Sequence, residues 1–244
     1  MAGNVLILGA TSDMALALAR KFGDKGYSLT LAARNLEKIK AMQADIRIRQ
    51  RVPVEIVAFD ANDVKSHEHF YHSLPAKPDV VICVFGLLGD QKIAQQKWEM
   101  SEAILYANFV GAVSILNIVA NDMEQRKQGV IIGISSVAGE RGRQSNYIYG
   151  SAKAGFTAYL SGLRNRLCKS NVHVLTVKPG FVKTRMIENI KTPGPLTSHP
   201  AKVAEDIYNA VSRRKNTIYT SSIWRPIMYA IKSLPEGIFK KLSL

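Results

Sequence analysis

Short, continuous runs of apolar residues recur along this chain, and segments with helical periodicity separate them. The apolar runs predict strands at residues 5–8, 28–32, 54–59, 80–85, 130–134, 172–177 and 217–219. The periodic segments predict helices at residues 14–22, 36–48, 67–73, 98–123, 151–168 and 203–212. An uninterrupted apolar run indicates a strand that is buried on both faces. The alternation therefore predicts an α/β fold, in which right-handed βαβ units form one doubly wound parallel sheet of about seven strands with helices on both faces.

The composition is that of an ordinary globular protein. Hydrophobic residues make up 47% of the 244 positions, which excludes a disordered chain, and two cysteines exclude a disulfide-stapled or zinc-ribbon fold. No linker-like segment divides the chain, so we expect one domain over residues 1–212, followed by a basic extension over residues 213–244. The net charge of +14 favours a negatively charged partner, which would be nucleic acid, an anionic membrane surface or a phosphate-rich ligand.

The N-terminus carries no signal for export. The chain runs directly into the apolar residues 5–8, without a basic region or a cleavage site. No apolar run reaches the roughly 20 residues that span a bilayer. We therefore expect a cytoplasmic location.

The turn after the first predicted strand has the position of a phosphate site. A strand, a turn and a helix in this order present free backbone N–H groups and a positive helix end at the carboxyl edge of the sheet. The turn residues that would contact a diphosphate are Gly9, Thr11, Ser12, Asp13 and Met14. Because Gly9 is the only glycine of the turn, the alternative is an ordinary turn in which Ser12 or Asp13 caps the helix.

The ends of the second and third strands suggest which dinucleotide would bind. Arg34, with Asn35 beside it, follows the second strand, where an acidic residue would hold a ribose 2′-hydroxyl and an arginine accommodates a 2′-phosphate. The pattern favours NADP(H) over NAD(H), and the alternative is a solvated arginine. Asp60 and Ala61 follow the third strand and would lie near the adenine, unless Asp60 only forms an Asx turn.

Tyr149 and Lys153 are four residues apart, so they share one face of a helix. A free tyrosine has a pKa near 10, and a neighbouring ammonium group favours the phenolate and lowers that pKa. Ser136 follows a buried strand, thirteen residues before Tyr149, and the intervening loop can place its hydroxyl beside the phenol. This set predicts general acid–base chemistry.

The motif Y-x-x-x-K, preceded by Ile-Ser-Ser-Val-Ala-Gly at residues 134–139, resembles the short-chain dehydrogenase/reductase family. Asn108 resembles the helix asparagine of that family's catalytic tetrad. Residues 179–184 (Pro-Gly-Phe-Val-Lys-Thr) resemble the P-G-x-x-x-T segment that holds the nicotinamide end. The resemblance covers residues 4–212 and implies a single-domain, Rossmann-type fold.

The resemblance also implies an activity, which is hydride transfer between NADP(H) and a carbonyl compound or secondary alcohol. Tyr149 would donate or accept the proton, and Lys153 would lower its pKa and bind the nicotinamide ribose. Ser136 would hydrogen-bond the reacting oxygen, and Asn108 would hold a water that links Lys153 to solvent. The remaining cofactor-binding residues would be Gly86, Pro179, Gly180, Val182 and Thr184, and Arg185 to Pro200 would form a lid over the substrate.

The chain departs from the family pattern at two places. The usual T-G-x-x-x-G-x-G turn has Asp13 and Ala15 in place of its second and third glycines, and a carboxylate there would repel a diphosphate unless it turned away. The usual N-N-A-G after the fourth strand is Cys-Val-Phe-Gly at residues 83–86. Adenosine contacts would then come largely from the backbone.

Other clusters have weaker interpretations. His67, His69 and His72 match no strong metal-ligand spacing, so we expect a solvated helix and no metal site. Phe156, Tyr159 and Leu163 suit a packed helix or a subunit interface, and the family resemblance implies a homodimer or homotetramer. A nucleic-acid partner is not expected, because no reader motif accompanies the charge. A non-catalytic NADP(H)-binding sensor or scaffold of the same fold is the alternative function.

The C-terminal extension is basic and amphipathic. It holds seven Lys or Arg residues and one acid, and Trp224, Ile227, Met228, Ile231 and Leu234 form an apolar helical stripe. Such a helix either lies in a membrane interface, giving peripheral contact through residues 218–244 at the inner face of a membrane, or docks on the protein body. The ending has a weak resemblance to family members that reduce keto-sugars on polyprenyl-phosphate lipids, so a lipid-linked carbonyl substrate is a further alternative.

Overall fold

The computed structural model describes residues 3–188 and 190–242 and has a seven-stranded sheet at its centre. The strands are β1 (Asn4–Leu8), β2 (Ser28–Ala33), β3 (Val54–Ala58), β4 (Val80–Cys83), β5 (Gly129–Ile134), β6 (Val172–Pro179), β7 (Phe181–Val182), β8 (Thr197–Ser198) and β9 (Thr217–Thr220). The sheet runs in the order β3-β2-β1-β4-β5-β6-β9, and all its pairs are parallel. Strands β7 and β8 form a separate pair. The predicted doubly wound α/β fold is therefore confirmed.

Helices lie on both faces of this sheet. They are α1 (Asp13–Asp24), α2 (Glu37–Gln50), α3 (His67–His72), α4 (Gln91–Ala94), α5 (Trp98–Leu105), α6 (Gly111–Arg126), α7 (Tyr147–Leu167), α8 (Pro200–Ser212), α9 (Trp224–Ser233) and α10 (Glu236–Phe239). A π-helical turn over Tyr106–Val110 joins α5 to α6. The helix predicted over residues 98–123 is therefore divided in the structure, because the π turn interrupts its regular α-helical hydrogen bonding before Gly111.

The residues of β1 show why its sequence is continuously apolar. Val5 and Ile7 belong to the core under α1, α2 and α8, whereas Leu6 and Leu8 belong to the core under α3, α6 and α7. All four side chains are fully buried. Each buried aliphatic side chain contributes about 1.5–3 kcal/mol of transfer free energy.

The strand order reverses at β1, which has β2 on one side and β4 on the other. The connections leaving β1 and β4 therefore diverge to opposite faces, and a crevice opens at the carboxyl ends of the strands. Ligands of open α/β sheets bind at this position.

Part of the C-terminal extension belongs to the sheet, because β9 pairs with β6. The apolar stripe of α9 docks on the body, which is one of the two alternatives that the sequence left open. Trp224 and Met228 are buried, and the Arg141 guanidinium donates hydrogen bonds to the carbonyls of Ile231 and Leu234, both at 2.6 Å. Peripheral membrane contact stays a prediction.

Among the described residues, one helical stretch is long and apolar enough to cross a membrane by length and composition. It covers Trp98–Arg126 and differs from the expectation that no segment reaches this length, because α5, the π turn and α6 join end to end. Core helices of proteins that do not enter membranes meet the same criteria, and 44% of this stretch's most apolar window is buried inside the fold.

Candidate active site

The β1–α1 turn is shaped by Gly9, whose φ of +96° is a conformation that side chains with a Cβ rarely adopt. A Cβ at this position would lie 2.8 Å from the Phe85 backbone. Ser12 caps α1, since its Oγ accepts a hydrogen bond from the Ala15 N–H at 3.1 Å. The glycine brings the chain close to β4 and leaves the start of α1 facing the crevice, so the turn fits a dinucleotide diphosphate.

Asp13 does not cap the helix. Its carboxylate accepts hydrogen bonds from the Arg185 backbone N–H at 2.9 Å and from the Arg185 Nε at 3.2 Å. Arg185 also donates to the Thr11 carbonyl at 2.6 Å. The carboxylate that replaces a glycine is thus turned towards a cation of the predicted lid, which offsets its repulsion of a diphosphate. Met14, the next residue, lines the cleft.

The residues predicted for the adenosine end lie at the ends of β2 and β3. Arg34 and Asn35 are both exposed directly after β2. The Asp60 carboxylate accepts the Asn62 N–H at 3.0 Å, which is the Asx turn that the sequence left as an alternative. Ala61 follows in the same turn. The cofactor contacts of these four residues stay predictions.

The structure brings Ser136, Tyr149 and Lys153 together at the carboxyl ends of β5 and its neighbours, where all three line one cleft. The Ser136 Oγ accepts the Ala138 N–H at 3.1 Å, so its own proton remains free to be donated. The Lys153 ammonium lies 5.7 Å from the centre of the Tyr149 ring and donates to the Ile134 carbonyl at 3.0 Å. Helix α7 begins at Tyr147, four residues before the predicted start, so Tyr149 and Lys153 do share its face.

Burial has the largest effect on the pKa values of Tyr149 and Lys153. It raises the pKa of Tyr149 to about 12, and a hydrogen bond with the Ser136 hydroxyl opposes that rise. It lowers the pKa of Lys153 to about 8. The Lys153 ammonium donates to a backbone carbonyl in this structure, and its predicted lowering of the Tyr149 pKa stays a prediction.

Asn108 lies in the π turn, and its side chain is fully engaged. Its amide nitrogen donates to the carbonyls of Leu87 and Ile104 at 2.6 and 2.8 Å, and its oxygen accepts the Leu87 N–H at 3.3 Å. Gly86 lies between the side chains of Asn108 and Lys153. A Cβ at Gly86 would be 2.6 Å from the Asn108 amide oxygen and 3.4 Å from the Lys153 ammonium nitrogen. Asn108 therefore positions the loop after β4, and its predicted water relay stays a prediction.

The opposite wall of the cleft is formed by Pro179, Gly180, Val182 and Thr184. The Thr184 hydroxyl donates to the Val182 carbonyl at 3.2 Å. The predicted lid contains two short 3₁₀ turns, Arg185–Ile187 and Gly194–Leu196, followed by β8, and Asn189 lies outside the described residues. The cleft is open on one side, and its volume is about 150 Å³.

Sequence reasoning did not assign Arg143, Asn146 or Trp224 to this cleft, although all three line it. Trp224 had been assigned only to the amphipathic tail. Arg143 and Asn146 lie in a polar loop that carries no recognisable motif. The sequence feature that could have indicated their place in the cleft is their position, six and three residues before Tyr149.

The histidine cluster also differs from its prediction. His67 is buried rather than solvated, and its ring nitrogens contact the Ser114 hydroxyl at 3.0 Å and the Asp60 carbonyl at 2.9 Å. It fixes the turn after β3. Within residues 3–188 and 190–242, no three side chains of metal-binding type come together.

Comparison with known proteins agrees with this geometry. The family model for short chain dehydrogenases matches residues 3–193. An uncharacterized oxidoreductase of Mycobacterium tuberculosis is 34% identical, over 99% of this chain and 97% of its own. A NADP-dependent 3-hydroxy acid dehydrogenase of Schizosaccharomyces pombe is 26% identical, over 91% and 92% of the two chains. A short-chain dehydrogenase from Sphingobium yanoikuyae, solved with NADPH, superimposes with a TM-score of 0.83 at 24% identity, covering 98% and 96%.

The fold and the matched relatives define an α/β oxidoreductase. The chain belongs to the short-chain dehydrogenase/reductase family, as its resemblance in sequence predicted.

Proposed function

We propose that this protein is an NADP(H)-dependent oxidoreductase that interconverts a carbonyl compound and a secondary alcohol. The observation that carries the proposal is the meeting of the Ser136 hydroxyl, the Tyr149 phenol and the Lys153 ammonium in one cleft beside the β1–α1 turn. A hydroxyl donor, a proton donor and a cation are the groups that carbonyl reduction requires of the protein. A sensor or scaffold would have no use for them.

When bound, the nicotinamide supplies or accepts the hydride. The start of α1 would hold its diphosphate, and Val182 and Thr184 would hold its carboxamide end. Ser136 donates a hydrogen bond to the carbonyl oxygen of the substrate. Tyr149 gives that oxygen its proton, and the Lys153 ammonium stabilises the phenolate that remains.

Support for NADP(H) comes from Arg34, which is exposed at the end of β2 with no ion-pair partner among the described residues. The Schizosaccharomyces pombe relative is named for NADP, and the Sphingobium structure contains NADPH.

Replacing Arg34 with leucine is expected to weaken NADPH binding by about tenfold to a hundredfold and to leave NADH binding unchanged, because a charge-assisted contact with the 2′-phosphate is lost. Fluorescence titration with each cofactor measures this. The matched control is Arg47→Leu, which removes another exposed charge, from α2. Equal dissociation constants for NADPH and NADH in the unchanged protein would contradict the assignment.

The rate of carbonyl reduction is expected to depend on pH through Lys153. Its pKa is lowered to about 8, whereas that of Tyr149 is raised to about 12, so Tyr149 keeps its proton while Lys153 loses its charge first. Without the ammonium, the phenolate left by proton transfer is less stable. kcat/KM for reduction should therefore be level at low pH and fall above about pH 8, as measured by NADPH oxidation. A profile that rises through this range would refute the role of Lys153.

A further inference from the structure

Arg143 is a cation in the cleft that the proposed mechanism does not use. It lies in the loop between the 3₁₀ turn Val137–Glu140 and α7, and it lines the same cavity as Ser136 and Tyr149. Its Nε is fully buried and has no hydrogen-bond partner among the described residues. One terminal nitrogen lies 3.2 Å from the Met228 sulfur, which is a weak acceptor.

Among the described residues, no acidic side chain forms an ion pair or hydrogen bond with Arg143. Burial lowers the pKa of Arg143, but a guanidinium stays protonated throughout the physiological range. Glu140 is the acid that acts on it electrostatically, and the Glu140 carboxylate already accepts hydrogen bonds from Lys178 at 2.6 Å and from the Tyr219 hydroxyl at 2.8 Å. Arg143 as a whole is half-buried, and a half-buried cation whose innermost nitrogen has no acceptor is unfavourable unless a ligand supplies an anionic partner.

Two other arginines near the cleft show the contrast. Arg141, two residues earlier, is satisfied by backbone carbonyls and by the Glu236 carboxylate at 3.0 Å. Arg185 is satisfied by Asp13 and the Thr11 carbonyl. The protein supplies acceptors for both of these side chains and leaves Arg143 to face the cavity.

We propose that Arg143 binds a carboxylate of the substrate, so that the substrates are oxo acids and their hydroxy acid products. This inference rests on the proposed oxidoreductase function and names its substrate class. The planar guanidinium matches a carboxylate in a two-point hydrogen bond. Apolar side chains of the same cleft surround the rest of the molecule, and they are Phe181, Met186, Ile187, Ile190 and Trp224.

The reaction balances with the cofactor alone. A hydride passes from NADPH to the carbonyl carbon, the C=O π bond breaks, and Tyr149 gives its proton to the oxygen. The products are the hydroxy acid and NADP⁺, and solvent returns one proton to Tyr149. The carboxylate held by Arg143 is unchanged, so it orients the carbonyl without taking part in the bond changes.

Binding without turnover tests the carboxylate site directly. The chain has two tryptophans, and Trp98→Phe leaves Trp224 in the cavity wall as the only fluorescent indole. Hexanoate and hexanamide have nearly the same shape and differ in charge. In this background, with and without NADP⁺, we expect hexanoate to bind at least about tenfold more tightly than hexanamide, as measured by the change in Trp224 fluorescence.

Variants of Arg143 assign that preference to one side chain. Arg143→Met should abolish it, Arg143→Lys should keep part of it, and Arg225→Met should keep all of it, since Arg225 is an exposed charge one turn before Met228. Circular dichroism checks that each variant is folded. Equal binding of the two probes, binding of neither, or a preference that survives Arg143→Met would overturn the inference.

Turnover separates this inference from the proposed function. NADPH oxidation with 3-oxohexanoate and 3-oxohexanamide at equal efficiency would uphold the oxidoreductase and overturn the carboxylate site. A hexanoate preference lost in Arg143→Met, in a protein that oxidises NADPH with neither compound, would uphold the site and count against the activity.

Discussion

Replacing Tyr149 with phenylalanine is expected to lower kcat for carbonyl reduction by about a hundredfold to ten-thousandfold, the usual contribution of a positioned general acid. The ring would still fill its site, and the Lys153 ammonium would remain 5.7 Å from its centre. The change therefore removes the proton donor without removing the wall of the cleft. Steady-state NADPH oxidation measures the loss, and fluorescence titration should give a nearly unchanged dissociation constant for NADPH.

Tyr147→Phe is the matched control, because it removes a hydroxyl two residues earlier on the same helix. The Tyr147 side chain is 42% exposed, and its hydroxyl only reaches the Gln95 amide oxygen at 3.5 Å. This variant should keep normal turnover. Near-normal turnover in Tyr149→Phe would show that the proton comes from another group.

Replacing Trp224 with alanine is expected to lower the free energy of unfolding by about 3–5 kcal/mol, which is typical of a large aromatic side chain lost from a core. Trp224 is 4% exposed, its indole N–H donates to the Leu196 carbonyl at 3.2 Å, and its ring meets the Phe181 ring edge to face at 5.5 Å. Thermal unfolding should show a fall in Tm on the order of 10 °C. KM for the carbonyl substrate should rise, because a wall of the cavity is lost.

Trp98→Ala serves as the control for Trp224→Ala. Trp98 is 65% exposed on α5, so the same truncation should change the free energy of unfolding by no more than about 0.5 kcal/mol. An unchanged Tm in Trp224→Ala would mean that α9 does not dock on the body in solution.

The sheet was predictable because its strands are buried on both faces, and continuous apolar runs such as residues 5–8 carry that information locally. The meeting of Ser136, Tyr149 and Lys153, the proposed catalytic residues, was predictable because their spacing is fixed by one helix and one strand end. The start of α7 at Tyr147 was not predictable from the sequence. Tyrosine, isoleucine and glycine at residues 147–150 have only moderate or low helix propensity, and tertiary packing against the Val137–Glu140 turn overrides it.

Contacts between distant residues carried no sequence signal. Asp13 and Arg185 are 172 residues apart, and Arg143 meets Met228 across 85 residues. The loop of Arg143 is polar and carries no motif, and its burial depends on α9. Whether a charged side chain in such a loop is buried depends on which element packs over it, and that is known only from the folded structure.

The walls of the cleft come from two separate parts of the chain, because Trp224 lies far from the other lining residues in the sequence. The match to the family model ends at residue 193, whereas Trp224 lies thirty-one residues later, and its ring fills the space that a Cβ at Gly180 would occupy, at 2.0 Å. The residues proposed for proton transfer thus lie in the first four-fifths of the sequence, and part of the cleft wall lies in its last fifth. Exchange of the terminal segment is therefore expected to change the wall of the cleft and to leave the residues proposed for proton transfer in place.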